Sequence, residues 1–133
     1  DARSPPLGEE TRSGNERVVR DFIDAWPRLD VAGIVAFFAE DGVYHNMMLE
    51  PVKGREALTG FIGGFVNGWS EVNWELVNIA SAGNLVFAER VDRMKVGGKQ
   101  VALPCCGVFE IEGGKIKVWR DYFDLATFTK AMG

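Results

Sequence analysis

Cysteine is scarce in this chain: its two residues, Cys105 and Cys106, are adjacent and cannot close a long loop as a disulfide. Histidine occurs once, at His45, which excludes a multi-histidine metal centre. No apolar run approaches the roughly 18 residues of a membrane span, and the first residues have no apolar core of a signal peptide. Runs of like charge are missing as well. The 15 basic and 19 acidic residues are interspersed and give net charge −4, so nucleic acid is not an expected partner. The glycines of Gly60-Phe61-Ile62-Gly63-Gly64 lack the strand, spacing and lysine that a phosphate loop needs. The expectation from these absences is a soluble, cytoplasmic protein without a membrane or nucleic-acid partner.

A chain of 133 residues, 47% hydrophobic and 26% charged, fits one globular domain. Residues 1–14 carry Pro5, Pro6 and many charges around a single large apolar residue, Leu7, and read as a flexible leader to a domain over 15–133. From Asn15, the stripe Val18, Val19, Phe22, Ile23 and Trp26 predicts an amphipathic helix that Pro27 ends. Asp30 can cap a second helix with Ile34, Phe37 and Phe38 facing inward, ending near Asp41-Gly42. A short strand is expected over Val43 to Met48. A third helix after Gly54 carries Leu58, Phe61, Ile62, Phe65 and Val66.

Beyond Ser70 the pattern changes to alternation: Val72, Trp74 and Leu76, then Leu85 to Val96, Gln100 to Glu112 and Lys115 to Phe123. Gly97-Gly98 and Gly113-Gly114 supply the positive φ values of two-residue hairpins. Asp124 can cap a terminal helix bearing Leu125 and Phe128. The order predicts an α+β fold: a curved, mostly antiparallel sheet with N-terminal helices packed on one face and a short C-terminal helix. The concave side would be a pocket.

The polar residues on these strands share faces. Strand parity groups Arg90 and Asp92 with Val86, Ala88 and Met94, and Asp121 with Trp119 and Phe123. Tyr44 and Asn46 share a face with Met48, while His45 points the other way and is given a structural or surface role. One reading makes Arg90–Asp92 a solvated pair and Asp121 a partner in a salt bridge at the sheet rim. The other buries them, so that the planar fork of Arg90 holds two carboxylates. Together Tyr44, Asn46, Arg90, Asp92 and Asp121 supply two acids, a cation and two neutral partners, as water activation opposite proton donation requires. Nothing near Cys105 or Cys106 offers the cationic setting of a reactive thiol, so both read as small apolar residues.

The segments Tyr44-His45-Asn46, Glu89-Arg90-Val91-Asp92, Gly107-Val108-Phe109 and Trp119-Arg120-Asp121-Tyr122-Phe123-Asp124 resemble the limonene epoxide hydrolase family, from about Asn15 to the C-terminus. Its cone-like fold is shared with nuclear transport factor and ketosteroid isomerase. The resemblance implies a water held by Tyr44, Asn46 and Asp121, with Asp121 as general base. It implies Asp92 as general acid toward the oxirane oxygen and Arg90 as the bridge between the carboxylates. It further implies a one-step reaction without metal, cofactor or covalent intermediate, a homodimer, and an apolar pocket. Met94, Leu103, Cys105, Phe123 and Phe128 are its expected lining, with Trp26, Phe65 and Trp69 beside them. The substrate would be an apolar, terpene-like or cyclic epoxide converted to a vicinal diol. Two other readings stay open on the same fold: an isomerase or dehydratase in which one aspartate removes a proton beside a carbonyl, and a non-catalytic apolar-ligand binder or dimerisation module.

Overall fold

Helix α1 (Leu7–Ala25) opens the computed structural model, which describes residues 7–133, with side chains described from residue 12 onward. It begins before the expected Asn15, so Leu7 to Gly14 of the expected leader is helical; the rest of that leader lies outside the described residues. No proline interrupts Leu7 to Gly14, and once a helix is nucleated each added residue gains a backbone bond. Trp26–Arg28 follow as a 3₁₀ turn and Val31–Val35 as a short α2. The six strands are β1 (Phe38–Asn46), β2 (Val52–Lys53), β3 (Trp69–Ala82), β4 (Leu85–Val96), β5 (Lys99–Glu112) and β6 (Lys115–Phe123). Helix α3 (Arg55–Phe65) lies between β2 and β3, and α4 (Leu125–Met132) closes the chain.

The sheet order is β2-β1-β6-β5-β4-β3, antiparallel throughout except for the parallel pair β1–β6. This is the α+β, mostly antiparallel arrangement expected. Both glycine pairs have positive φ, at 56° and 82° for Gly97 and Gly98 and 59° and 77° for Gly113 and Gly114, so the hairpins close where the sequence placed them. Register shifts within β3, and in the β1–β6 and β5–β6 pairs, bend the strands and curve the sheet around its inner face.

The second helix stops at Val35, and Phe38 already belongs to a strand. Phe38 pairs with Ile116, and the Ile116 N–H donates to the carbonyl of Phe37 at 2.9 Å. A ladder to a distant strand thus outweighs the local helical spacing of Ile34, Phe37 and Phe38. Phe38 is nonetheless buried, as its inward assignment required. Strand β1 starts five residues before the expected Val43, and β2 was not anticipated at all.

Phe22 of α1 is the hub of the core, with its ring edge-on to Trp26, Phe37, Phe38, Phe109 and Trp119 at centroid distances of 5.0–5.9 Å. Burying a ring of this size contributes on the order of 2–3 kcal/mol, and each aromatic pair adds about 0.5–1.5 kcal/mol. This packing seals the closed end of the curved sheet. The other end stays open. There the inner face carries the polar residues of β1, β4 and β6.

Candidate active site

Arg90 projects from β4 into the inner face because alternation sends Val86, Ala88, Arg90, Asp92 and Met94 inward, and all five are buried. The solvated reading of the Arg90–Asp92 pair is therefore excluded: Arg90 is 1% exposed, Asp92 4% and Asp121 6%. The guanidinium spends four contacts on the two carboxylates. Nε and Nη2 donate to Oδ1 and Oδ2 of Asp92, each at 2.9 Å. Nη1 and Nη2 donate to Oδ1 and Oδ2 of Asp121, at 3.0 Å and 2.9 Å. Its carbon lies 4.9 Å from the Trp74 ring centroid and 5.7 Å from that of Trp119, so aromatic rings support the cation as well.

The parallel pairing of β1 with β6 sets Asn46 opposite Asp121 and Tyr44 opposite Trp119. The Tyr44 ring stacks on Trp119 at 4.1 Å, and Oδ1 of Asn46 accepts the backbone N–H of Met48 at 3.1 Å. That bond fixes the Asn46 amide. Tyr44, Asn46, Asp92 and Asp121 are the polar groups lining a cavity of about 220 Å³ at the open end. Arg90 lies behind the carboxylates. The remaining lining is apolar: Met48 and Leu49 after β1, Phe65 of α3, Trp69 and Trp74 of β3, Met94, Leu103, Phe123, and Leu125 and Phe128 of α4.

The site's electrostatics follow from burial and one cation. Desolvation raises the pKa of Asp121; the charge and hydrogen bonds of Arg90 pull it back, and the Asp92 charge pushes it up. Desolvation also holds the Tyr44 phenol well above its ordinary value, reinforced by the Asp121 charge, so the hydroxyl is neutral and able to donate. The carboxylates outweigh the desolvation of Arg90 and keep it protonated. Cys105 brings its sulfur within 4.8 Å of oxygens of both Asp92 and Asp121. Burial pushes this thiol far up, whereas metal binding and nucleophilic attack both need the thiolate. The same carboxylate oxygens are already taken by Arg90. These three donors are a poor cation site.

Of the expected lining residues, Met94, Leu103, Phe123, Phe128, Phe65 and Trp69 reach the cavity, and Cys105 and Trp26 do not. Trp26 is fully buried and stacks behind Trp74 at 4.2 Å; the helical stripe that made it apolar-facing points it into the core. Cys105 is on the inner face, alternating along β5 with buried Leu103 and Gly107, but short enough to stay beneath the carboxylates. Met48, Leu49, Trp74 and Leu125 complete the cavity and were not in the expected set. Parity had grouped Met48 with Tyr44 and Asn46, and Trp74 pairs directly with Asp92 across β3–β4. No periodic signal singled out Leu49.

Among the described residues, no helix is long and apolar enough to cross a membrane. The family model described as the limonene-1,2-epoxide hydrolase catalytic domain matches residues 13–133. Epoxide hydrolase EphG of Mycobacterium tuberculosis is 30% identical over 114 residues, covering 86% of this chain and 76% of that protein. The structure of an M. tuberculosis LEH-like epoxide hydrolase superposes with a TM-score of 0.79 at 28% identity, over 90% of each chain. An epoxide hydrolase/cyclase-like enzyme of pyran ring formation in polyether salinomycin, SalBIII, shares the fold at a TM-score of 0.77 and 20% identity, over 86% of this chain and 94% of that one. Buried carboxylates bridged by one arginine beneath an apolar cavity, and a family match that runs through all of them, lead to one assignment: this chain belongs to the limonene-1,2-epoxide hydrolase family.

Proposed function

We propose that this epoxide hydrolase adds water to an apolar, terpene-like or cyclic epoxide in one step, giving a vicinal diol with no covalent intermediate. The observation that carries the reading is the Arg90 bridge, which holds two carboxylates at the floor of an otherwise apolar cavity beside Tyr44 and Asn46. Asp121 is the general base toward a water held also by Tyr44 and Asn46, and Asp92 is the general acid. As the water oxygen bonds to an oxirane carbon, its proton passes to Asp121, the carbon–oxygen bond breaks, and the departing oxygen takes the Asp92 proton. Two carboxyls around one guanidinium are neutral only if one proton is retained, and the reacting state carries it on Asp92. Each turnover leaves the proton on the opposite residue, so it must return before the next.

In a single turnover in oxygen-18 water with a cyclic terpene epoxide, the first diol formed is expected to carry one labelled oxygen. Unlabelled diol in that turnover would mean an ester intermediate, and no diol from a varied epoxide panel would sink the assignment. In the second case a carbonyl substrate would test the isomerase reading, and ligand binding without turnover the carrier reading.

A homodimer in the cytoplasm is part of the same proposal. Val77, Phe87 and Tyr122 are exposed apolar residues on the outer faces of β3, β4 and β6, a distribution that suits pairing of two sheets. Phe87→Lys is expected to shift the protein from dimer to monomer in light scattering. An unchanged mass would place any dimer contact elsewhere.

A further inference from the structure

We propose that Gly107 is a positioning residue of the reaction: the missing side chain at this point of β5 is what lets the Arg90 guanidinium reach Asp121 while it holds Asp92. The proposal rests on the role given to Asp121 above. Gly107 pairs with Asp121 on β6 and with Ala88 on β4, so two of the smallest residues lie side by side across β4 and β5. Its backbone does not call for glycine. Gly107 is absent from the glycines with positive φ, and a glycine within a strand weakens it unless something approaches closely.

Something does. A Cβ on Gly107 would stand 2.7 Å from Nη1 of Arg90, 2.8 Å from Cε1 of Phe109 and 3.0 Å from Nε1 of Trp119. None of the three has room to retreat. Phe109 and Trp119 are fully buried and stack on each other with planes 8° apart, and Arg90 is fixed by its four carboxylate contacts. The nearest group also serves only one carboxylate, since Nη1 donates to Oδ1 of Asp121, whereas Nε and Nη2 hold Asp92. A methyl group here therefore loosens the base before the acid. Any shift of Trp119 is passed to Tyr44, which stacks on it at 4.1 Å.

Gly107 does not line the cavity, so substrate binding should escape. Gly107→Ala is expected to lower kcat roughly 10- to 100-fold, as a misplaced catalytic group does, with KM nearly unchanged. The acid limb of the pH–rate profile should move upward, because Arg90 then pulls less on the Asp121 proton. The carboxyl carbon resonance of Asp121, titrated without substrate, should move the same way. If the alanine variant does not fold, Gly107→Ala with Phe109→Leu removes the contact at 2.8 Å and keeps the one to Arg90, and the same upward titration is expected. A folded variant with a lowered Tm but an unmoved Asp121 titration would make Gly107 merely structural and overturn the proposal. Because the titration needs no substrate, it decides the role of Gly107 even if the wild-type protein hydrolyses no epoxide, an outcome that would instead sink the proposed function.

Discussion

Asp121→Asn is expected to lower kcat by about 10²- to 10⁴-fold, the usual contribution of a positioned base, while the protein stays folded. Asparagine keeps the shape, but its single oxygen can accept from only one of Nη1 and Nη2 of Arg90, its Nδ2 is a donor set against the other, and it has no basicity to take a proton from water. The wild-type pH dependence should carry the signature of the same residue. Burial raises the pKa of Asp121, so kcat/KM should fall on the acid side at a higher pH than an ordinary aspartate would give. The sign of the stability effect follows too. A carboxyl whose folded pKa is raised contributes stability that is present at low pH and lost as pH rises through the folded value. At neutral pH the desolvation of the charged Asp121 is thus a cost set against its bonds to Arg90, and Asp121→Asn, which gives up one of those bonds but carries no charge, should be free of that pH-dependent loss. Thermal unfolding of both proteins across pH would show it: the wild-type curve should fall away from the variant's as pH rises. Near-normal turnover in the variant would remove Asp121 from the mechanism, and a wild-type stability that does not fall relative to the variant's as pH rises would contradict the electrostatics.

Parity along the strands was enough to place Arg90, Asp92 and Met94 on one face and Trp119, Asp121 and Phe123 on another, because a strand repeats every two residues whatever it pairs with. Parity does not tell which face is inside. Nor could it foresee that β1 runs parallel to β6 and sets Asn46 against Asp121, since that contact spans most of the chain. The same kind of long-range pairing drew Phe38 out of its helical pattern into a strand. Trp26 shows a different limit: helical spacing identifies an apolar stripe, but core and cavity wall are both apolar, and only the stack on Trp74 decides between them. Local periodicity gave the faces, and the distant pairings decided which of them met at the cavity.

Arg90→Lys, conservative in charge, is expected to cost at least about 100-fold in kcat. An ammonium is a compact point charge and cannot span two carboxylates as the planar fork does. Losing both donors to Asp121 forgoes two charge-assisted bonds of about 1.5–3 kcal/mol each, and the carboxyl would hold its proton to higher pH than in the wild type and serve less well as base. The acid limb should therefore move up further than in any variant that only shifts the guanidinium. Removing the cation altogether, as in Arg90→Met, leaves buried carboxylates without compensation and should destabilise the fold by about 3–5 kcal/mol. Replacing all three charges by apolar residues, as in Arg90→Met with Asp92→Leu and Asp121→Leu, should recover most of that loss, because nothing charged is then left to desolvate. Urea unfolding of the single and triple variants separates two accounts of the cluster. If the triple variant is much less stable than Arg90→Met, the ion cluster is a stabilising element in its own right. If it returns to wild-type stability with no turnover, the fold carries the desolvation of the cluster for the chemistry alone, and Arg90 is there to hold the two acids beside each other at the cavity floor.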